Sequence, residues 1–259
     1  MTQTERRLYL IAALLKEQPQ FSKIEIPSDK QEQKRLLRSL FNIRMPKPVT
    51  EEFLMVQDAY LKEEIKRKGI IELSDLEPVS KEIYLWRGDI TTLKCDAIVN
   101  AANSQMLGCF CPNHGCIDNA IHTFAGVQLR LACRDLMKQQ GHEEETGKAK
   151  ITPAYNLPSR YVIHTVGPIV YDGLTKKDKD LLASCYRSCL ELAERKGLKS
   201  IAFCCISTGE FHFPNDKAAQ IAIETVKRYK EETQSEIEVI FNVFKKLDYN
   251  IYKRLLKAN

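Results

Sequence analysis

The chain has 259 residues, a formal net charge of +5, 44% hydrophobic and 28% charged residues, values typical of a globular protein larger than most single domains. Its basic residues are interspersed with acidic ones and form no basic stripe, which argues against a nucleic-acid partner. The longest apolar run, residues 8–15, is too short to span a bilayer and lacks the cleavage pattern of a signal peptide, so we expect a cytoplasmic protein with no membrane partner.

The first 75 residues are predicted to form a helical extension. One apolar helical face is predicted from the spacing of Leu8, Ile11, Ala12 and Leu15. A capping box beginning at Ser28 is expected to open a second helix, and Thr50 is expected to cap a third helix that ends near Gly69. No ionisable cluster in residues 1–75 suggests chemistry, so we expect this extension to cover one side of a larger domain, residues 76–259.

Beyond residue 82, short strands alternate with helices. Strands are predicted at 83–86, 97–99, 161–166, 201–206 and 237–243. Helices are predicted at 118–125, 127–140, 179–196, 216–230 and 247–257. This alternation predicts an α/β fold with a mostly parallel sheet covered on both faces. Ligands of such sheets bind outside the carboxyl ends of the strands. Three unusual loops, at 100–116, 167–168 and 207–209, follow predicted strands, so we expect them to form one pocket.

The loop at 109–117 concentrates soft metal ligands. Its four candidate donors are Cys109, Cys111, His114 and Cys116. Thiolate and imidazole are the donors that Zn²⁺ prefers, and three of them leave a position open for water or substrate. The spacing is not that of a zinc finger, which needs a second, distant pair. A cysteine-rich turn without metal is the alternative. Five other cysteines have apolar neighbours and are expected to pack as small hydrophobic residues: Cys133, Cys185, Cys189, Cys204 and Cys205.

The turn that begins at Ser207 follows a predicted buried strand and precedes a helix. Backbone N–H groups in such a turn favour an anion such as a diphosphate, although most Ser-Thr-Gly turns bind nothing. Phe211 and Phe213 fit either a core position or a ring stacked on a ligand. The segment matches neither the Walker loop nor the dinucleotide fingerprint.

Three further polar residues follow predicted strands or the metal loop. Asp89 could accept a hydrogen bond from an exocyclic amine such as that of adenine, or could serve as an ordinary helix N-cap. Asn100 and Asn103 flank two alanines, and their amides could orient ribose hydroxyls. Asp118 is two residues from Cys116, so it can reach the open side of a metal or a water molecule there.

Six motifs in this order resemble a macrodomain of the MacroD type. They are Gly88-Asp89-Ile90, the segment from Ala97 to Asn103, the Asp-x-Ala-Ile-His motif at 118–122 with Ala125-Gly126, the Lys-Ala-x-Ile-Thr motif at 148–152, the segment from Tyr161 to Pro168, and the loop from Ser207 to Pro214. Segment 108–118 replaces the usual glycine-rich loop, and this variant resembles the zinc-dependent microbial macrodomains, which also carry a helical N-terminal extension.

The resemblance implies a three-layer α/β/α fold with a mixed, mostly parallel sheet. It implies removal of ADP-ribose from modified proteins with Zn²⁺ as cofactor. Members of this group are typically encoded near a class M sirtuin and a lipoylated carrier similar to the glycine-cleavage H protein, which are the implied writer and substrate. We therefore expect a mono-ADP-ribosyl-protein hydrolase acting on an acyl (Asp or Glu) linkage. The alternatives are a module that only binds ADP-ribose or O-acetyl-ADP-ribose and, more distantly, a zinc-stabilised nucleic-acid-binding protein.

The resemblance also assigns residues. Adenine would be held by Asp89 and Ile90. The diphosphate would be wrapped by Ser207, Thr208, Gly209, Glu210 and Phe211. Asn103 would orient the distal ribose, and Asp118 would orient or activate water. Zinc would be bound by Cys109, His114 and Cys116, with Cys111 spare. Glu210 and His212 replace the apolar and small residues commoner in the family's diphosphate loop, which predicts an extra polar contact or an altered loop.

Overall fold

The computed structural model describes residues 1–21 and 23–257. The chain begins with helices α1 (Gln3–Glu17), α2 (Lys30–Ile43) and α3 (Glu51–Lys68), with a short 3₁₀ turn at Pro19–Phe21. The three helices share a core of their own that includes Leu10, Ile11, Leu14, Leu37, Leu40, Phe41, Phe53 and Leu61. The predicted face of α1 is partly wrong, because Ala12 is exposed. The buried face of α1 is formed instead by two i, i+4 pairs, Leu10 with Leu14 and Ile11 with Leu15.

The ends of these helices follow capping chemistry. Thr50 caps α3 by accepting a hydrogen bond from the Phe53 N–H at 3.2 Å, and Gly69, with φ of 90°, ends the helix, so both predictions are confirmed. The predicted cap at Ser28 is wrong. Asp29 caps α2, because its carboxylate accepts from the backbone N–H groups of Gln31 at 2.8 Å and Glu32 at 2.9 Å, and a negative charge is favourable at a helix N-terminus.

The described part of the chain contains nine strands: β1 (Ile71–Glu72), β2 (Pro78–Ser80), β3 (Ile83–Arg87), β4 (Leu93–Lys94), β5 (Ala97–Ala102), β6 (Ala149–Pro153), β7 (Tyr161–Val166), β8 (Ser200–Phe203) and β9 (Glu238–Val243). The main sheet has the order β2-β3-β9-β8-β5-β7-β6. Its five inner strands are parallel, and the edge strands β2 and β6 run antiparallel to their neighbours. The short strands β1 and β4 pair separately. The expected mixed, mostly parallel sheet is therefore confirmed.

Two differences from the predicted strands have physical causes. The strand predicted to end at Ile206 ends at Phe203. Cys204 and Ile206 are buried, but the chain turns there, and the Thr208 N–H donates to the Cys205 carbonyl at 3.4 Å. The apolar run of residues 204–206 therefore indicates burial and not strand pairing. Strand β6 was not predicted, because its burial is mostly partial.

The remaining α-helices of the described residues are α4 (Ile117–Ala125), α5 (Val127–Gln140), α6 (Lys176–Arg195), α7 (Asn215–Thr233) and α8 (Lys246–Lys257). The chain crosses the sheet in one direction from β5 to β7 and in the other from β7 through β8 to β9. Right-handed crossovers therefore put α4 and α5 on one face and α6 and α7 on the other, giving three α/β/α layers. The crevice between β5 and β8, where the direction reverses, is the expected ligand site.

The core of the sheet layer is formed by residues from all of its inner strands and from the helices on both faces. Four of the five cysteines predicted to pack as small hydrophobic residues are buried: Cys133, Cys185, Cys189 and Cys204. Cys205 is only partly buried. None of the helices described in residues 1–21 and 23–257 combines the length and hydropathy needed to cross a membrane.

Candidate active site at the carboxyl edge of the sheet

The loop that joins β5 to α4 begins with an amide that shapes it. Asn103 Oδ1 accepts from the Met106 N–H at 3.0 Å, and Asn103 Nδ2 donates to the Gly108 carbonyl at 3.3 Å. Gly108 has φ of 81°, and a Cβ there would come within 2.8 Å of the His122 ring. The loop therefore packs closely over α4 at a position that requires glycine. In this structure Asn103, assigned to the distal ribose, is occupied in holding the loop.

The same loop brings three of the predicted donors together. The ligand atoms of Cys109, His114 and Cys116 all lie within 4.8 Å of one another, and Cys109 Sγ is 3.6 Å from His114 Nδ1. We call these three residues the donor group. All are partly buried, whereas Cys111 is exposed and outside the group. Two sulfurs and one imidazole form a three-ligand set that leaves one tetrahedral position open.

The electrostatics of the donor group fit a cation. Cys116 is the N-cap of α4, and its Sγ accepts from the Asn119 N–H at 3.4 Å. Burial raises the pKa of Cys116 to about 12, and neighbouring Cys109 and Asp118 add to this rise. Two thiolates this close repel each other, and a divalent cation between them removes that cost. The residues present therefore fit a bound divalent metal.

Asp118 lies in the first turn of α4, and only 7% of its side chain is exposed. Its Oδ1 accepts from Asn100 Nδ2 at 2.8 Å and is 3.5 Å from His122 Nε2. Burial raises the pKa of Asp118 to about 6, although Asn100 and the positive Arg130 oppose the rise. A carboxyl group with a pKa near the operating pH is suited to act as a general base.

Next to Asp118 lies a second group of potential metal ligands, which was not predicted from the sequence. His122, Cys133 and His164 are buried, with ligand atoms within 4.8 Å of one another; we call them the buried cluster. Asn100 Nδ2 also contacts His164 Nδ1 at 3.2 Å, and Thr152 Oγ1 contacts His164 Nε2 at 2.9 Å. Burial lowers the pKa of His164 to about 3, so its ring is neutral at physiological pH.

The turn after β8 presents unpaired backbone donors. Among the described residues, nothing accepts a hydrogen bond from the N–H groups of Gly209, Glu210 or Phe211. Ser207 has φ of 65° and its buried Oγ has no partner. Converging free N–H groups form a concavity suited to an anion. We call residues 207–213 the anion loop. Phe213 is buried in the core, whereas Phe211 is partly exposed.

The residues assigned to adenine lie at the end of β3. Asp89 Oδ1 accepts from the Thr91 N–H at 3.0 Å and thus caps a short 3₁₀ turn that begins at the buried Ile90. Asp89 Oδ2 accepts from Lys68 Nζ at 2.8 Å. Burial would raise the pKa of Asp89, but the Lys68 and Thr91 donors lower it below its ordinary value. The Asp89 carboxylate therefore serves as an N-cap and, because it remains ionised, also accepts from Lys68.

An exposed aromatic residue near Asp89 was missed by the sequence reasoning. Phe244 directly follows β9, the neighbour of β3, and is 76% exposed. The preceding residue, Val243, accepts from the Gly88 N–H at 3.1 Å. An exposed aromatic ring at the strand end next to the one that precedes Asp89 offers a stacking surface for a planar base. The signal available was its position at the carboxyl end of a predicted strand.

Comparisons with known proteins agree with this geometry. A model of the Macro domain matches residues 99–222. The chain is 57% identical over 260 aligned residues to a protein-ADP-ribose hydrolase of Treponema medium, covering 99% of this chain and 100% of that protein. The chain belongs to the macrodomain family. Its predicted membership is therefore confirmed.

Solved macrodomains share the fold. A macrodomain of Oceanobacillus iheyensis with ADP is 38% identical, with a TM-score of 0.63, and the match covers 71% of this chain and 94% of that one. A macrodomain of Trypanosoma brucei in complex with ADP-ribose is 31% identical, with a TM-score of 0.66, covering 85% of this chain and 94% of that one. Both are described with an adenine nucleotide, ADP in one and ADP-ribose in the other.

In this macrodomain the N-terminal extension also contacts the site, in addition to the covering role expected from the sequence. Arg38 of α2 donates to the His114 carbonyl at 3.0 Å and to Asn119 Oδ1 at 2.8 Å. Asn42 Oδ1 accepts from the Asn113 N–H at 2.9 Å. These residues are spread along a helix without forming a cluster, so the sequence pattern contained no signal for them. The extension thus holds the loop that carries the donor group.

Proposed function

We propose that this macrodomain is a zinc-dependent hydrolase that releases ADP-ribose from mono-ADP-ribosylated proteins. The observation that carries the proposal is the junction of the donor loop and α4, where a three-ligand donor group ends at Cys116 and a buried carboxyl group follows at Asp118. A module that only binds ADP-ribose needs an anion loop and a base site, but has no use for an open metal position beside a carboxyl of raised pKa.

Binding is proposed to begin with the diphosphate and the adenine base of the ADP-ribose. The free N–H groups of the anion loop receive the diphosphate, and Asp89 with Phe244 receives the base. Support comes from the relatives, since the Oceanobacillus and Trypanosoma macrodomains are described with ADP and with ADP-ribose. Binding at these two places fixes the distal ribose near the donor loop, which turns the subsequent reaction into an intramolecular one.

The donor group is proposed to hold Zn²⁺ through Cys109, His114 and Cys116. Zinc bound there supplies a Lewis acid for an oxygen of the substrate. The chain itself keeps the ligands in place: Asn103 fixes the start of the loop, and Cys116 is fixed by its role as N-cap of α4. Because only three protein donors would hold the zinc, it could also accept an oxygen of the substrate.

Asp118 is proposed to orient the attacking water and take a proton from it. Asn100 donates to its Oδ1 at 2.8 Å and thereby fixes the carboxyl plane. Among the described residues, the polar contacts of Asp118 are made by Oδ1, which leaves Oδ2 available for water. With a pKa near 6, the carboxyl is largely ionised at neutral pH and still basic enough to accept a proton.

The chemical linkage and the protein substrate are proposed from the resemblance to zinc-dependent macrodomains. An acyl bond to Asp or Glu is the proposed linkage. A lipoylated carrier similar to the glycine-cleavage H protein is the proposed substrate, with a class M sirtuin as the enzyme that modifies it. The relative from Treponema medium, which matches this chain from end to end, is named a protein-ADP-ribose hydrolase and supports the reaction class.

Metal analysis of the purified protein combined with a hydrolysis assay tests this function. We expect one zinc per chain, release of ADP-ribose from a mono-ADP-ribosylated acidic protein, and loss of release after chelation that zinc restores. Full activity without metal would exclude the zinc part and leave a metal-free hydrolase. Binding of ADP-ribose without any release would identify the protein as a binding module instead.

A further inference from the structure

Glu210 of the anion loop contacts a residue of the donor group. Its Oε1 lies 3.5 Å from His114 Nε2. Glu210 belongs to the turn after β8 and His114 to the loop after β5, so this contact joins the two loops on either side of the crevice. The Glu210 side chain is 70% exposed and the His114 side chain 31% exposed, so the contact lies at the mouth of the site.

The orientation of His114 gives this contact a chemical meaning. Its Nδ1 faces Cys109 Sγ at 3.6 Å, within the donor group, so Nε2 is the nitrogen that faces Glu210. An imidazole that binds a metal through one nitrogen carries a proton on the other. A carboxylate that accepts a hydrogen bond from this N–H fixes the tautomer and the ring orientation and makes the bound nitrogen a stronger ligand.

The backbone of His114 is held independently of Glu210. Arg38 donates to its carbonyl at 3.0 Å, and its own N–H donates to the Cys111 carbonyl at 3.3 Å. The position of the residue is therefore set by helix α2 and by the turn. What these bonds leave free is the rotation of the imidazole, and Glu210 is the charged group placed to set it.

A carboxylate in an anion loop also needs an explanation of its own. Glu210 contributes a free backbone N–H to the concavity, yet its side chain carries the same sign of charge as a diphosphate. The Glu210 side chain is instead directed toward His114, where its Oε1 faces Nε2 of the ring. The contact thus reduces the repulsion between the Glu210 carboxylate and a bound diphosphate, and it links the anion loop to the donor group.

We propose that Glu210 is a positioning residue that orients His114 for the metal and couples the anion loop to the donor group. This proposal rests on the zinc site of the proposed function. Since the side chain of Glu210 meets His114 and its N–H faces the anion, zinc and diphosphate favour the same loop position. Each ligand then raises the affinity of the other, and this coupling is reciprocal.

The first test measures zinc affinity by competition with a chromogenic chelator. Glu210→Ala is expected to weaken zinc binding about 10- to 100-fold. Glu210→Gln keeps an oxygen acceptor and should recover most of the affinity. Glu231→Ala, an exposed carboxylate on α7, is the matched control and should equal wild type. The ligand-field absorption of the Co²⁺-loaded protein should change in Glu210→Ala and not in the control.

The second test uses ADP, which has the diphosphate but lacks the distal ribose that could touch the metal directly. Calorimetric titration of the zinc-loaded and zinc-free wild type should give an affinity for ADP several-fold higher with zinc. Glu210→Ala should abolish this difference. Wild-type zinc affinity and undiminished coupling in Glu210→Ala would overturn the proposal while leaving the zinc hydrolase intact. A wild-type protein that binds no zinc would overturn both.

Discussion

Two groups of cysteine and histidine side chains border Asp118, and they differ in what their nitrogens already contact. Both the donor group and the buried cluster have their ligand atoms within 4.8 Å of one another. In the donor group, His114 Nδ1 faces only the neighbouring thiol. In the buried cluster, Asn100 and Thr152 occupy the two nitrogens of His164, whereas neither nitrogen of His122 has a hydrogen-bond partner among the described residues.

Residue type and proximity alone therefore do not make a metal site. Asn100 Nδ2 donates to His164 Nδ1, so the ring proton is on Nε2 and is donated to Thr152 Oγ1. No lone pair of His164 is then left for a metal. The buried cluster is better explained as a support that fixes Asn100, which in turn fixes Asp118. Substitutions in each group separate a metal-binding role from a supporting role.

Cys116→Ala should have the largest effect. It removes one of three donors, so zinc binding should be lost and hydrolysis should fall by about 10³-fold, the size expected for losing a Lewis acid. Cys133→Ala is the matched change in the buried cluster and should keep one zinc per chain. Metal content and initial rates measure both. Equal zinc loss in the two variants would show that the groups act as one site.

Asp118→Asn should slow hydrolysis by about 10²- to 10³-fold, as expected for removal of a general base. Zinc content and ADP-ribose affinity should be kept, because the amide has the same shape. The rate of the wild type should rise with pH up to a pKa near 6 and then level off, because the base must be ionised. Asp172→Asn, at an exposed loop residue, is the control. A full rate in Asp118→Asn would exclude the base role.

The same substitution has a predicted effect on stability. The folded carboxyl keeps its proton up to about pH 6, whereas the unfolded one loses it near its ordinary pKa of 3.8. This group therefore lowers the free energy of unfolding as pH rises through that window. Above pH 6, Asp118→Asn should make the metal-free protein more stable by about 1–3 kcal/mol, and the gain should vanish at pH 4. Urea unfolding at both pH values measures this change.

Arg38→Met should have a smaller effect on the donor group. Arg38 holds the His114 carbonyl and Asn119, whose Nδ2 in turn donates to the Cys111 carbonyl at 2.9 Å. Loss of this support should weaken zinc binding about 10-fold. Arg35→Met, an exposed position on the same helix, is the control. Chelator competition measures both variants, and unchanged affinity in Arg38→Met would limit the extension to packing.

Periodicity was sufficient for most of the fold and for the loops that form the site. Helix α5 was predicted with its observed bounds, because a helix face buried on one side repeats clearly along the sequence. The strand after Lys199 was predicted too long, because a buried turn and a buried strand have the same composition. The donors Cys109, His114 and Cys116 are close in sequence, so their proximity was predictable.

Contacts between distant segments could not be predicted in the same way. The contact between Glu210 and His114 joins two loops, and that between Arg38 and His114 joins a helix to a loop. No spacing within one segment encodes either of them. Nor could the sequence show that Asn100, next to two alanines on β5, serves Asp118, because that depends on the register that places Asn100 opposite His164.

Thr152→Val should have the smallest effect, and it tests the buried cluster directly. Valine removes the acceptor of the His164 Nε2 proton, which leaves a buried donor unpaired and should cost about 1–2 kcal/mol of unfolding free energy. Thr152→Ser keeps the hydroxyl and should stay near wild type. Zinc content should be one per chain in both variants. A second zinc in Thr152→Val would mean that the hydroxyl alone had kept the buried cluster from binding metal.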